Sequence, residues 1–125
     1  MKDIELIRRI DNHIGAINVV RFTSDGQYCM TASDDRTIKL WNPFKDSILE
    51  QPSTLSNTSN KNTINNALLI KSYEGVHGYS ILDLAISQDK SKFASCGIDK
   101  SCYLWDVMTG YYYIYIYIYI YINLL

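Results

Sequence analysis

Two stretches of 30 residues decide the fold: HIGAINVVRFTSDGQYCMTASDDRTIKLWN, residues 13–42, and HGYSILDLAISQDKSKFASCGIDKSCYLWD, residues 77–106. They align without a gap at a spacing of 64 residues, and each has a Trp 28 positions after its first His. Asp25 then coincides with Asp89, and Asp35 with Asp99. Such self-similarity indicates one supersecondary unit used twice, which buries its apolar face by stacking on its neighbour.

Short runs of alternating apolar residues predict three strands in each stretch, joined by tight turns such as Asp25-Gly26. Pro43 is expected to end the first set, and a further strand is due after Thr109-Gly110. The predicted strands are 2–10, 17–22, 28–32, 37–41, 67–73, 81–86, 92–96 and 101–105.

A His, a turn Asp and a terminal Trp followed by Asp or Asn resemble the blades of WD40 β-propellers. The resemblance implies an all-β chain of two four-stranded antiparallel blades. The ring is expected to be incomplete, because a blade takes about 40–45 residues and a ring has about 4–8 blades. We therefore expect a fragment or partial product. The expected divisions are a first blade with its preceding strand (1–45), a low-complexity insert (46–66), the outer strand of the first blade (67–76), a second blade (77–110) and a tail (111–125).

The same resemblance implies a hydrogen-bonded network inside each blade. The Trp indole would donate to a hydroxyl, the hydroxyl would bond the imidazole, and a turn carboxylate would hold the imidazole. Burying such polar groups costs several kcal/mol unless each one finds a partner. The family register selects Thr31 and Ser95 as the hydroxyls, rather than neighbouring Ser33. The networks would comprise His13, Thr31, Asp35 and Trp41 in the first blade and His77, Ser95, Asp99 and Trp105 in the second.

Ser95, His77 and Asp99 also have the composition of a catalytic triad. We favour a structural role, because the first blade carries the same set with Thr in place of Ser, and no Gly-x-Ser-x-Gly elbow is present. The two His residues lie too far apart in sequence for a zinc motif, and no P-loop occurs. The chain is therefore predicted to be no enzyme, with no cofactor and no metal.

Charge and cysteine usage narrow the classes of partner. The formal net charge is −1 and the basic residues are scattered, so no direct contact with nucleic acid is expected. The first ten residues are charged throughout, unlike a signal peptide, and no membrane segment is expected. Cys29, Cys96 and Cys102 lie in apolar strand contexts without a CxxC motif, which predicts buried, inert thiols in a reducing compartment.

Two segments are compositionally biased. Residues 46–66 are rich in Ser, Thr and Asn, and are expected to form a disordered loop between the third and fourth strands of the first blade. Residues 111–122 are mostly Tyr and Ile, a strong β-forming and aggregation-prone pattern. A TA dinucleotide repeat encodes such a run, and we hypothesise that the coding exon ends near Gly110.

Several short motifs are more specific than the general WD40 pattern. They are Val20-Arg21-Phe22, Asp25–Cys29 and Lys39–Pro43 in the first blade, and Tyr73-Glu74-Gly75, His77-Gly78-Tyr79, Leu82-Asp83, Asp99-Lys100 and Leu104–Val107 in the second. These motifs resemble the mitogen-activated protein kinase organizer family of WD40 proteins. The resemblance implies a non-enzymatic protein–protein interaction scaffold in the cytoplasm and nucleus, with kinase-cascade components as partners. The alternatives are spliceosomal partners in mRNA processing, or a truncated fragment without function.

Overall fold

A computed structural model describes residues 4–47 and 65–117. Over these residues the chain contains eight strands and no helix, in two four-stranded antiparallel sheets with the strand orders β1-β2-β3-β4 and β5-β6-β7-β8. This is the architecture expected of two WD40 blades in an open ring. The strands are β1 Ile17–Phe22, β2 Cys29–Ser33, β3 Ile38–Asp46, β4 Ala67–Tyr73, β5 Ile81–Ile86, β6 Lys92–Gly97, β7 Ser101–Asp106 and β8 Tyr112–Tyr117.

Matching turns join the first two strands of each sheet. Asp25 accepts hydrogen bonds from the hydroxyl of Thr23 and the amide of Gln27. Asp89 likewise accepts from the hydroxyl of Ser87 and the amide of Ser91. A short carboxylate that bonds the backbone two residues on is a strong turn former. The coincident aspartates of the two repeats therefore fix the strand register in both sheets.

The core lies between the two sheets. The first strand of one sheet, β1, contacts the first strand of the other, β5, and β2 also packs on β5. Tyr73 at the end of β4 makes edge-to-face contacts with two aromatic side chains of the second sheet, 4.8 Å from Phe93 and 5.8 Å from Trp105, measured between ring centroids. The buried members of this cluster are Val19, Met30, Ala32, Ile38, Tyr73, Ile81, Leu84, Phe93 and Trp105.

Side chains of the first sheet also bond the backbone of the second. Asn18 donates to the carbonyl of Ile81 over 2.9 Å, and Arg21 donates to the carbonyl of Leu84 over 3.3 Å. The hydroxyl of Tyr73 donates to the carbonyl of Val107 over 2.7 Å. These bonds fix how β5 and the end of the second sheet sit against the first.

Two strand predictions were wrong. β3 does not end at Pro43 but continues to Asp46. The register shifts between Asn42 and Asp46, so the ladder does not need the amide that proline lacks. The strand expected over residues 2–10 is absent from the described residues 4–10, apart from a single parallel bridge between Arg9 and Asn66. Among the described residues, the backbone of residues 4–8 makes no hydrogen bond to a strand, although the side chain of Arg8 bonds Asp46 and the carbonyl of Pro43 on β3.

The two biased segments fall partly outside the description. Asp46 pairs with Ala67, so the two ends of the insert are held together, while residues 48–64 of the predicted loop lie outside the described residues. The strand due after Gly110 is present as β8, which pairs with β7 and is built from the Tyr-Ile run. Residues 118–125 also lie outside the description.

The prediction of three inert thiols was wrong for two of the cysteines. Cys96 and Cys102 lie directly opposite each other on β6 and β7 and are paired as a disulfide. The short hairpin turn between the two strands places them opposite, which a strand-by-strand pattern does not reveal. Cys29 is a free, buried thiol, and burial raises its pKa to about 11.

Candidate functional site

The structure brings the four selected residues of the first blade into one continuous network. The indole of Trp41 donates to the hydroxyl of Thr31 over 2.9 Å, and that hydroxyl lies 2.6 Å from Nε2 of His13. Nδ1 of His13 lies 2.8 Å from Oδ2 of Asp35. A carboxylate only accepts, so Nδ1 carries the proton, and in a neutral ring Nε2 then accepts from Thr31. Every polar atom along this path is therefore paired.

Asp35 is held from several directions. Its carboxylate accepts from the hydroxyl of Thr37 over 2.6 Å and from the backbone amides of Ile14 and Thr37. Burial would raise its pKa, but the bonds from Thr37, His13 and the amides outweigh that effect and lower the pKa to about 2. Asp35 therefore stays ionised and joins the loop before β1 to the β2–β3 turn.

In the second blade, the Trp, hydroxyl and His members make the same hydrogen bonds as in the first. The indole of Trp105 donates to the hydroxyl of Ser95 over 2.8 Å, and that hydroxyl lies 2.6 Å from Nε2 of His77. Ser95 is fully buried at 0% exposure, and Trp105 stacks on Phe93 with a ring separation of 5.6 Å. The Ser95 hydroxyl is therefore fixed at the centre of the sheet, away from the surface.

The contacts of the turn aspartate and the histidine in the second blade differ from the expected network. The carboxylate of Asp99 bonds the hydroxyl and amide of Ser101. Nδ1 of His77 is buried without a hydrogen-bond partner. The backbone of Gly97 lies between these groups, since a Cβ built there would be 2.7 Å from Asp99 Oδ1 and 3.2 Å from His77 Nδ1. The expected bond between His77 and Asp99 is therefore missing.

Burial and charge act oppositely on His77. Loss of solvent lowers its pKa, while the negative charge of Asp99 acts to raise it, and the net pKa lies below the ordinary value of 6.5. The pKa of Asp99 is itself lowered, first by the hydrogen bond from the Ser101 hydroxyl. His77 is therefore neutral near pH 7 and Asp99 is ionised.

Thr37 and Ser101 belong to the networks but were not selected from the sequence. Each donates its hydroxyl to the turn aspartate two residues earlier, Asp35 and Asp99 respectively. The available signal was the hydroxyl residue that occupies the same position in both repeats.

The geometry does not suit nucleophilic catalysis at Ser95. A triad serine is exposed to substrate, and its histidine is oriented by the acidic member. Here Ser95 is enclosed, its oxygen is shared between Trp105 and His77, and no bond links His77 to Asp99. Among the described residues, no three His, Cys, Asp or Glu side chains are grouped so as to hold a metal ion. The described part of the chain also lacks any helix with the length and apolar character to cross a membrane.

The model of the WD domain, G-beta repeat, matches residues 4–42 and 69–106, which together are more than half of the chain. The chain belongs to the WD40 repeat family. Both matched segments end at the residue after the network tryptophan, Asn42 in one and Asp106 in the other. The two hydrogen-bonded networks are therefore features of the WD40 repeats themselves.

Individual WD40 proteins are similar to this chain. A WD repeat domain-containing protein 83 homolog from Dictyostelium discoideum is 34% identical over 110 residues, or 88% of this chain and 27% of the relative. WD repeat domain-containing protein 83 from Xenopus tropicalis is 40% identical over 88 residues, covering 70% and 21%. Protein HIRA from Gallus gallus is 28% identical over 104 residues, covering 83% and 10%. The chain thus spans about a quarter or less of these relatives.

Proposed function

We propose that this WD40 chain belongs to a non-enzymatic scaffold that binds other proteins, in the manner of the organizers of mitogen-activated protein kinase signalling. Its partners would be components of a kinase cascade, and it would act in the cytoplasm and nucleus. WD40 repeats generally mediate protein–protein interactions, and the similarity to WD repeat domain-containing protein 83 supports this reading.

The main support for the proposal is that the hydroxyl groups that could act as nucleophiles are buried and bonded to other residues of the blades. Thr31 and Ser95 are both fully buried, and each binds the tryptophan and histidine of its own blade. These groups hold strands together, and neither hydroxyl is open to a substrate. We therefore assign the binding of partner proteins to the exposed turns at the strand ends.

One rim of the two sheets carries exposed apolar side chains suited to contact with another protein. Ile14 directly follows the first network histidine and is 96% exposed, and Tyr79 lies two residues after the second and is 61% exposed. Ile98, at the β6–β7 turn, is 60% exposed, and its amide bonds the carbonyl of Ser80 beside Tyr79. Exposed aromatic and aliphatic side chains grouped on one surface are typical of contact sites.

The test is quantitative affinity capture with the tagged chain and two variants. Tyr79→Ala with Ile98→Ala removes two apolar groups from the rim. Met108→Ala removes an 87% exposed side chain from the opposite ends of the strands and serves as the matched control. We expect the captured kinase-cascade proteins to be lost with the rim variant and kept with the control.

Three outcomes would count against the proposal. Recovery of spliceosomal proteins in place of kinase-cascade proteins would move the function to mRNA processing. Equal recovery of kinase-cascade proteins by the wild type and the rim variant would show that Tyr79 and Ile98 do not contribute to binding. Capture of neither class by a folded chain would contradict the scaffold role.

A further inference from the structure

The two paired cysteines lie on the face of the second sheet that turns away from the first. Side chains alternate between the faces of a strand, and Phe93 and Ser95 of β6 point toward the first sheet with Trp105 of β7. Cys96 and Cys102 therefore occupy the other face, and both are half-buried. Cys29, by contrast, is fully buried.

Their backbone positions favour direct reaction between them. The Cα atoms of Cys96 and Cys102 are 4.3 Å apart, the spacing of a non-hydrogen-bonded pair, in which opposite side chains approach most closely. This separation lies near the lower end of the range that disulfides span. The strand register therefore places the two sulfur atoms side by side.

The pair is peculiar to the second blade. At the spacing of 64 residues, Cys96 and Cys102 correspond to Ala32 and Ile38, which also pair across two strands. Ala32 and Ile38 are fully buried against the second sheet. The fold therefore accepts an apolar pair at these positions, and two cysteines are not needed to build the hairpin.

We propose that Cys96 and Cys102 form a reversible thiol–disulfide site that exchanges with small disulfides of the glutathione type. The thiolate of one cysteine attacks a sulfur of oxidised glutathione, which forms a mixed disulfide and releases one glutathione thiolate. The second cysteine attacks the protein sulfur of that mixed disulfide, closes the Cys96–Cys102 bond and releases the second glutathione. The two thiol protons pass to the two glutathione thiolates, and reduced glutathione reverses the steps.

Each cysteine directly follows a residue of the hydrogen-bonded network in sequence. Cys96 follows Ser95, and Cys102 follows Ser101, which holds Asp99. Closing or opening the bond thus acts on the two strands that carry the His77 network, from the opposite side of the sheet. Within reducing compartments, disulfides are usually transient and serve catalysis or redox sensing, and an exchangeable pair fits that use.

The experiment equilibrates the 125-residue chain in glutathione buffers of increasing oxidised fraction and quenches with acid. The chain is then transferred to a denaturing buffer at neutral pH, where all free thiols, including Cys29, are counted with a maleimide mass tag. We expect three tagged thiols in reduced glutathione and one in oxidised glutathione, since the chain has three cysteines. Cys29→Ser should fall from two to none. Cys96→Ala with Cys102→Ile, which installs the residues of the first blade, should keep its single thiol throughout.

The same titration in urea tests whether the fold creates the site. The folded hairpin holds the sulfurs at a high effective concentration, so the native chain should oxidise at a ratio of oxidised to reduced glutathione about tenfold lower than the unfolded chain. An identical midpoint in urea would overturn the role of the fold. Three persistent thiols, or separate glutathione adducts on each cysteine, would overturn the pair itself.

Discussion

The indole of Trp105 donates a hydrogen bond to the hydroxyl of Ser95 across 2.8 Å, entirely inside the second sheet. Trp41 and Thr31 make the same bond in the first sheet at 2.9 Å. A tryptophan supplies a large apolar surface and one donor that needs a partner when buried. The same bond in both repeats indicates that Ser95 is a part of the blade framework.

Ser95 should not react as a hydrolase nucleophile. We expect no labelling of the folded chain by a serine-reactive fluorophosphonate, because Ser95 is enclosed and its oxygen is occupied by Trp105 and His77. A serine hydrolase treated in parallel controls for the reagent. Labelling of the wild type that disappears in Ser95→Ala would contradict this prediction.

Stability should fall in mild acid because of His77. Its folded pKa lies below 6.5, so the unfolded chain binds the proton more readily than the native one. The stabilisation is complete above about pH 6.5 and declines as the pH falls below that value. Urea unfolding between pH 7.5 and pH 5 measures the slope.

His77→Gln keeps a side-chain amide within reach of Ser95 but does not titrate, and its unfolding free energy should vary less over the same pH range. An unchanged slope would show that other groups cause the pH dependence. The variant's own stability at pH 7.5 serves as the reference, so a general loss of stability does not obscure the slope.

Gly97 should tolerate no side chain. A Cβ at this position would lie 2.7 Å from a carboxylate oxygen of Asp99, so Gly97→Ala displaces that carboxylate from its bonds with Ser101 and should cost about 1–3 kcal/mol of unfolding free energy. Gly78→Ala is the matched control, since its Cβ would have no heavy atom within 4 Å. Chemical denaturation of both variants compares them directly, and equal stabilities would refute the close packing around Gly97.

Asn18 should couple the two blades. Its amide nitrogen bonds both Asp34 and the carbonyl of Ile81, and Asn18→Leu installs the residue found at the same position of the second blade. We expect a loss of about 0.5–1.5 kcal/mol in unfolding free energy. Asp34→Ala removes only the bond within the first blade and should cost less. A larger loss for Asp34→Ala would contradict the coupling role of Asn18.

The sequence predicted the strands of both blades well because the repeat supplies two independent copies of each signal. β1, β4 and β5 have the predicted bounds. It missed the continuation of β3 through Pro43, because the register shift that removes the need for an amide there depends on pairing with β4. It also missed the pairing of Cys96 with Cys102, which depends on the hairpin register.

For the candidate site, the structure places the Trp, hydroxyl and His residues chosen from the sequence within hydrogen-bonding distance of one another in both blades. The sequence did not predict that Asp99 would bond Ser101 and not His77. Two acceptable donors, Ser101 and His77, lie close to that carboxylate. Local geometry around Gly97 decides between them. In the first blade the carboxylate of Asp35 binds both His13 and Thr37, so the same residue types give two outcomes.

A double-mutant cycle on Ser95 and Trp105 measures whether the hydrogen bond between them stabilises the second blade. Trp105→Phe removes the indole donor and keeps an aromatic ring, while Ser95→Ala removes the acceptor, and urea unfolding gives the free energy of each single and double variant. The account predicts a coupling free energy of about 0.5–3 kcal/mol, since contacting residues of one network are not additive. Additive effects, within about 0.3 kcal/mol, would contradict it and show that Ser95 and Trp105 do not hold the blade together.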